Sequence, residues 1–263
     1  MSSWKRTACE WMSGVMPARR GHRVFVYHSI VPEPWQDPYE MTVSVRRFEE
    51  QLTTLKQRGG VVPLDASSDA TVSLTFDDGF ADNVSLALPV LVKVGVPATL
   101  FVVVEAVERA AFDFLPPPPP GRTWSAPLTW RALEAWVAAG LSVGLHGWTH
   151  TAFTETPAPA LRQQLERGKR TLEDRLGVAV DDVAYPYGDL KHFDDRVLAV
   201  AAEAGFRRGY TAVAGPNVAD TPSMALMRIR MTEWDDAEFV LRKANGRFDF
   251  YGAYQAARHR LGR

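Results

Sequence analysis

The stretch "VSLTFDDGFADN" runs from Val72 to Asn83. Its first five residues are mostly apolar, β-branched or aromatic, the composition of a buried strand. Two adjacent aspartates, Asp77 and Asp78, and Gly79 then break it. The continuation "ADNVSLALPVLVKVG" places Val84, Leu88, Leu91 and Val92 on one helical stripe and stops at Gly95. Strand, polar turn, helix is the unit of a parallel sheet covered by helices. A hairpin reading of Asp-Gly fails because no second strand follows.

The unit recurs on both sides. Val24–His28 predicts a first strand, and "VSVRRFEEQLTTLKQRGG" a helix with Phe48, Leu52 and Leu55 inward. Val61–Leu64 is a short strand candidate. "PATLFVVV", "LSVGLH", "DDVAYPYG", "RRGYTAVAG" and "MALMRIRM" predict further strands, with helices between most of them. About seven alternations argue for an α/β fold, either an open doubly wound sheet or a barrel. No glycine-rich nucleotide loop follows the first strand.

The 263 residues include 46% hydrophobic and 23% charged residues, with a formal net charge of −1. That balance draws the chain neither to nucleic acid nor to a membrane surface. The single cysteine, Cys9, excludes a disulfide framework and a cysteine-based metal site. No apolar run approaches the ~18 residues of a spanning helix. The N-terminal residues lack the apolar core of a secretory leader, so a cytoplasmic location is expected. One domain is expected: an arm over residues 1–22, a catalytic domain over 23–232, and C-terminal helices over 233–263 packed on it. Five consecutive prolines, Pro116–Pro120, mark a stiff insertion over 112–127 rather than a linker, because candidate chemical residues lie on both sides of it.

In either architecture the site forms at the C-terminal ends of the strands. His28, Asp77, Asp78, His146 and the "YPYG" turn (Tyr185–Gly188) all fall there, with His150 four residues beyond His146. Two imidazoles and one carboxylate form a three-ligand set with positions open for water, the composition of a catalytic site for zinc or another divalent metal. One aspartate then binds the metal and its neighbour stays free as a base. His28 alone reads as a core histidine, and Tyr185 and Tyr187 as packing around a proline turn. Trp148, between the two histidines, reads as a wall of the site. His22, His192 and His259 read as surface residues.

These residues resemble the polysaccharide deacetylases, carbohydrate esterase family four. "TFDDG" resembles the family's first motif, a base followed by a metal ligand, and "HGWTH" its HxxxH motif. "YPYG" resembles the third motif, which shapes the groove and offers a backbone N–H to the oxyanion. The family's closing strand-then-histidine motif is absent from "LMRIRM" but present at the start as "VFVYH". That order is similar to the circularly permuted branch that deacetylates poly-N-acetylglucosamine.

The resemblance implies a distorted (β/α) barrel of about seven parallel strands. It implies metal binding by Asp78, His146 and His150, with zinc as the first choice, Asp77 as base and His28 as acid. Tyr187, Tyr185 and Trp148 fall to substrate and oxyanion. The implied substrate is an N-acetylated glycan or amino-sugar precursor. Ala184 stands where the third motif has an arginine, so the base is expected to lack its orienting partner. Three rival readings are a non-catalytic carbohydrate-binding module, a hydrolase of small cyclic amides or imides, and a protein-docking role for the prolines.

Overall fold

The strand at Val72 has neighbours on both sides, and side-chain parity decides what each face does. The computed structural model describes residues 12–15 and 20–261; of the expected arm, residues 1–11 and 16–19 lie outside the described residues. Nine strands are described: β1 (Arg23–Tyr27), β2 (Ser29–Val31), β3 (Thr42–Ser44), β4 (Val72–Phe76), β5 (Thr99–Val102), β6 (Ser142–Leu145), β7 (Asp182–Ala184), β8 (Arg208–Tyr210) and β9 (Arg228–Arg230). Seven form one parallel sheet in the order β8-β7-β6-β5-β4-β1-β9. The residues leading into β9 close it onto β8: Thr211 N–H donates to Leu226 O at 2.8 Å and Arg228 N–H to Val213 O at 3.0 Å. The result is a nearly closed α/β barrel in a single domain. The first strand sits between β4 and the last.

Successive strand residues point to opposite faces. Phe25 and Tyr27, Leu74 and Phe76, Leu100 and Val102, and Val143 and Leu145 belong to the large cluster between sheet and helices. The alternate residues face the barrel interior, where Val24, Phe101, Ala184 and Tyr210 form a second, smaller core. His28, Thr75, Asp77, His146 and Arg228 share that inward parity.

Helices cover the outside: α1 (Val45–Arg58), α2 (Leu88–Val94), α3 (Val104–Arg109), α4 (Trp130–Ala138), α5 (Ala158–Leu176), α6 (Asp195–Glu203), α7 (Ala237–Ala244) and α8 (Phe250–Arg260). The side chains of Ser44, Thr129 and Asp194 accept from the first-turn N–H groups of α1, α4 and α6. The strand expected at Val61–Leu64 is one bridge, Val61 to Val72, followed by a 3-10 turn at Leu64–Ala66. Pro63 has no N–H to continue a ladder. Helix α2 is preceded by a π turn at Asn83–Ala87.

The insertion is pinned at its end to the Asp77–Asp78 turn: Ala81 N–H donates to Ala126 O at 2.7 Å and Leu128 N–H to Gly79 O at 2.9 Å. Inside it, Trp124 Nε1–H donates to Pro116 O at 2.6 Å, and the Tyr39 hydroxyl donates to Pro117 O at 3.3 Å. The proline run thus folds back on the barrel rim.

Candidate active site

Strand parity delivers Asp77 to the barrel interior, and alone it would send Asp78 outward. Asp78 instead adopts a left-handed backbone with φ 72°. Aspartate tolerates that region better than most residues. The turn brings both carboxylates to the same end of the barrel, buried at 4% and 3% exposure. His146 follows the last residue of β6 and is buried. Gly147, at φ +89°, turns the chain so that His150 comes back over the same spot. A Cβ on Gly147 would lie 2.5 Å from Thr149 O.

The Nε2 atoms of His146 and His150 lie 3.5 and 3.4 Å from Asp78 Oδ1. The three side chains offer ligand atoms all within 4.8 Å of one another. Their chemistry fits a cation. His146 Nδ1–H donates to Ala184 O at 2.9 Å. A carbonyl only accepts, so that nitrogen carries the proton and Nε2 presents a lone pair. Asp78 Oδ1 is buried without a hydrogen-bond partner. Lone pairs converging on an unpartnered buried oxygen are stable with a positive charge between them. Burial, more than any neighbouring charge, lowers the pKa of both histidines and keeps them neutral, as ligation requires. Burial and the Asp77 charge raise Asp78, the mark of a carboxylate short of a cation.

Asp77 differs from its neighbour. Burial pushes its carboxyl up, but the Arg228 guanidinium, the nearby His146 and the Arg228 hydrogen bonds outweigh burial and hold it below the usual carboxylate range. Arg228 grips it with two 2.7 Å bonds, Nη1 to Oδ1 and Nη2 to Oδ2. The same guanidinium donates from Nε to Thr211 O at 2.9 Å, which fixes its plane. Ala184 therefore does not leave Asp77 unpartnered, as its place in the third motif implied. The arginine that pairs with it comes from β9. Sequence reasoning missed it, although Arg228 and Arg230 flank buried Ile229 in a stretch, 224–231, that is otherwise apolar. That alternation was the available signal.

His28 follows β1 and borders the cavity over the site, with burial drawing its pKa down to about 3. That cavity is about 540 Å³ and is also lined by Asp77, Asp78, His146 and His150, within the range of small-ligand sites. Tyr187 stands on its rim at 50% exposure. Its backbone is left-handed, φ 62°. Among the described residues, its N–H meets no acceptor in the protein. Tyr185 is buried, and its hydroxyl donates to Met224 O at 2.6 Å.

Trp148 is not among the cavity-lining residues; the Arg167 guanidinium covers its ring at 3.5 Å. Phe114 of the insertion and Tyr187 take the walls instead. The Phe114 ring stacks on His150 at 4.1 Å, and Tyr187 meets it edge-on at 4.6 Å. Two other histidines depart from the expected surface. His192 lines the cavity beside Asp189, with 2.8 Å between His192 Nδ1 and Asp189 Oδ1. His22 is buried at the opposite end of the barrel.

Residues 65–209, more than half of the chain, match the family model for polysaccharide deacetylase. Over 233 residues the chain is 23% identical to the Bacillus subtilis protein YxkH, named, by inference, a polysaccharide deacetylase; the match covers 84% of this chain and 75% of that one. The Streptococcus pyogenes deacetylase PplD, solved with acetate, superposes with a TM-score of 0.70 at 22% identity, covering 87% of this chain and 99% of that one. IcaB from Ammonifex degensii gives 0.66 at 24% identity, with the same shares of 87% and 99%. At these identities the two structures speak for the fold.

Proposed function

The chain belongs to the polysaccharide deacetylase family, and from that premise we propose that it is a divalent-metal-dependent hydrolase of N-acetylated glycans. The observation that carries this reading is the pair of aspartates held in opposite states on one turn. Asp77 is neutralised by a two-pronged arginine, while Asp78 is unpartnered and faces two neutral imidazoles.

The reaction is hydrolysis of an acetamide, in which amide and water give acetate and a free amino sugar. Asp78, His146 and His150 would hold the cation, which when bound would supply a Lewis acid and lower the pKa of a water toward ~7. Asp77, kept ionised and aimed by Arg228, accepts the proton of the attacking water. The free Tyr187 N–H donates to the oxygen on which negative charge develops. His28 donates a proton to the departing nitrogen, which is a poor leaving group without one. Burial holds its imidazole neutral at rest; negative charge building up beside it raises its proton affinity, so it takes up a proton from solvent and passes that proton on. Exposed Tyr39 and Tyr187 border the cavity and supply the flat faces on which a sugar ring stacks. Arg228 speaks against a binding-only module, because Asp77 has a charged partner despite Ala184.

The test is acetate release from β-1,4- and β-1,6-linked N-acetylglucosamine tetramers, with and without a chelator. Release that the chelator abolishes and added zinc restores is expected. Turnover that survives metal removal overturns the metal dependence, and the absence of acetate from both tetramers overturns the proposed substrate class. His146→Ala is expected to lower bound metal in elemental analysis; unchanged stoichiometry rejects the ligand set.

A further inference from the structure

The ladder that carries His28 ends one residue too early to hold it. The last rung between β1 and β4 is Asp77 N–H to Tyr27 O at 3.0 Å. Beyond it, β2 leaves the barrel and pairs only with β3. His28 therefore lies at a junction between two sheets, where backbone bonds give way. Backbone pairing resumes with Ser29 N–H to Met41 O at 3.0 Å, on the other sheet, and side chains brace the junction. Asn83 Nδ2–H donates to His28 O at 2.6 Å. The Asp82 carboxylate accepts from the Ser29 hydroxyl at 2.6 Å and from Ile30 N–H at 2.9 Å. Three consecutive residues, 28, 29 and 30, are each gripped by one of two consecutive residues, 82 and 83.

Both gripping residues are buried, Asp82 at 6% and Asn83 at 0% exposure. They follow Asp77 and Asp78 on the same short segment and open a π turn, a form often found at functional sites. Asp82 N–H reaches the Ser125 hydroxyl at 3.2 Å, so the end of the insertion braces the same segment. Burying a carboxylate is an expensive way to fasten a loop. One stretch of chain nevertheless fixes Asp77, Asp78 and the loop bearing His28 in a single frame.

We propose that Asp82 and Asn83 are positioning residues that hold His28 at its proton-donating distance from the scissile nitrogen. The assignment rests on the reading of His28 as the acid. Neither residue lines the cavity; both act through residues 28–30. A misplacement of about 1 Å in such a group can lower a rate on the order of 100-fold.

The experiment compares two substrates. An acetamide of an amino sugar needs a proton on its leaving nitrogen, whereas 4-nitrophenyl acetate releases an anion stable enough to leave without one. His28→Ala sets the reference and loses far more of the amide rate than of the ester rate if His28 is the acid. Asn83→Leu, which keeps the branched shape and removes the donor, is expected to lower kcat on the N-acetylglucosamine tetramer by about 10-fold to 100-fold. KM, metal content and the ester rate stay within about twofold. Asp82→Asn, which retains an acceptor, recovers most of the amide rate that Asp82→Ala loses.

Equal losses on both substrates, or no loss on either, overturn the proposal. The His28 ring resonance gives a reading that needs no turnover. It is expected to shift or broaden in Asn83→Leu while that of exposed His259 stays in place, and an unchanged His28 signal overturns the clamp. If His28→Ala shows no selective loss of amide hydrolysis, the acid reading fails; the resonance still reports whether Asn83 sets the position of His28.

Discussion

Arg228 and Asp77 meet deep in the barrel, with only 2% and 4% of their surfaces exposed. A buried carboxylate is tolerable there because a planar fork satisfies both of its oxygens. Lysine carries the same charge without the fork. Arg228→Lys is expected to keep the fold and metal content and to lower kcat by about 10-fold to 100-fold, through loss of aim at the water. Arg228→Met leaves the carboxylate buried and unpaired, a change that destabilises by about 3–5 kcal/mol. A thermal melt combined with steady-state kinetics checks both, and an Arg228→Lys enzyme with wild-type kcat removes the orienting role. The candidate ligands were legible in the sequence because local spacing placed them, Asp78 beside Asp77 and His150 four residues after His146. Arg228 was not, because nothing along the chain says that β9 lies beside β1. Trp148 shows the converse. It lies between His146 and His150 in sequence, yet the turn at Gly147 sends its ring under Arg167.

At the scale of elements, most helices and most strands followed from periodicity, while α3, whose first residue was read as the end of a strand, and the seam between β8 and β9 did not. Helix α8 closes that seam. Gln255 Oε1 accepts from Ala214 N–H at 2.8 Å, and its Nε2–H donates to Ala212 O at 3.0 Å. The approach requires Gly252, where a Cβ would lie 1.9 Å from Ala214 O. Alanine is the better helix former by about 1 kcal/mol, but a backbone oxygen cannot swing aside. Gly252→Ala is therefore expected to lower the melting temperature despite its higher propensity, and to raise KM, since Tyr251 and Gln255 line the cavity. Gly168→Ala is the contrast. Its Cβ would meet the end of the Leu145 side chain at 2.7 Å, which can rotate, so a smaller loss is expected. A Gly252→Ala protein as stable as wild type would show that α8 rests only loosely on the seam. A π turn such as Asn83–Ala87 escapes a reading tuned to 3.6 residues per turn, so the two residues proposed to hold the acid were seen only as the start of a helix.

Across the whole molecule, the chemistry gathers at one end of the barrel and His22 helps to close the other. Its N–H donates to Asn217 O and its carbonyl accepts from Asn217 N–H, both at 2.8 Å, tying β1 to the loop after β8. Its Nδ1 lies 2.8 Å from the Thr71 hydroxyl at the start of β4, and its Nε2 is buried without a partner. Burial is the largest cause lowering its pKa from 6.5 to about 4; the neighbouring Arg23 adds to it, and the contact with Thr71 opposes it. A histidine depressed in the fold takes up its proton first in the unfolded chain. Below about pH 6.5 the unfolded state therefore gains protons that the native state refuses, and stability falls until the pH reaches about 4. At about 1.4 kcal/mol per pKa unit, the full loss is about 3 kcal/mol. His22→Gln keeps an amide beside Thr71 and removes the titration. Its unfolding free energy, measured in urea at pH 7 and at pH 4.5, is expected to change less than that of the wild type by about 2–3 kcal/mol. The other buried histidines titrate in both proteins and cancel in the comparison. Parallel pH dependence in the two proteins would mean that His22 is hydrated in solution and that this end of the barrel opens without it.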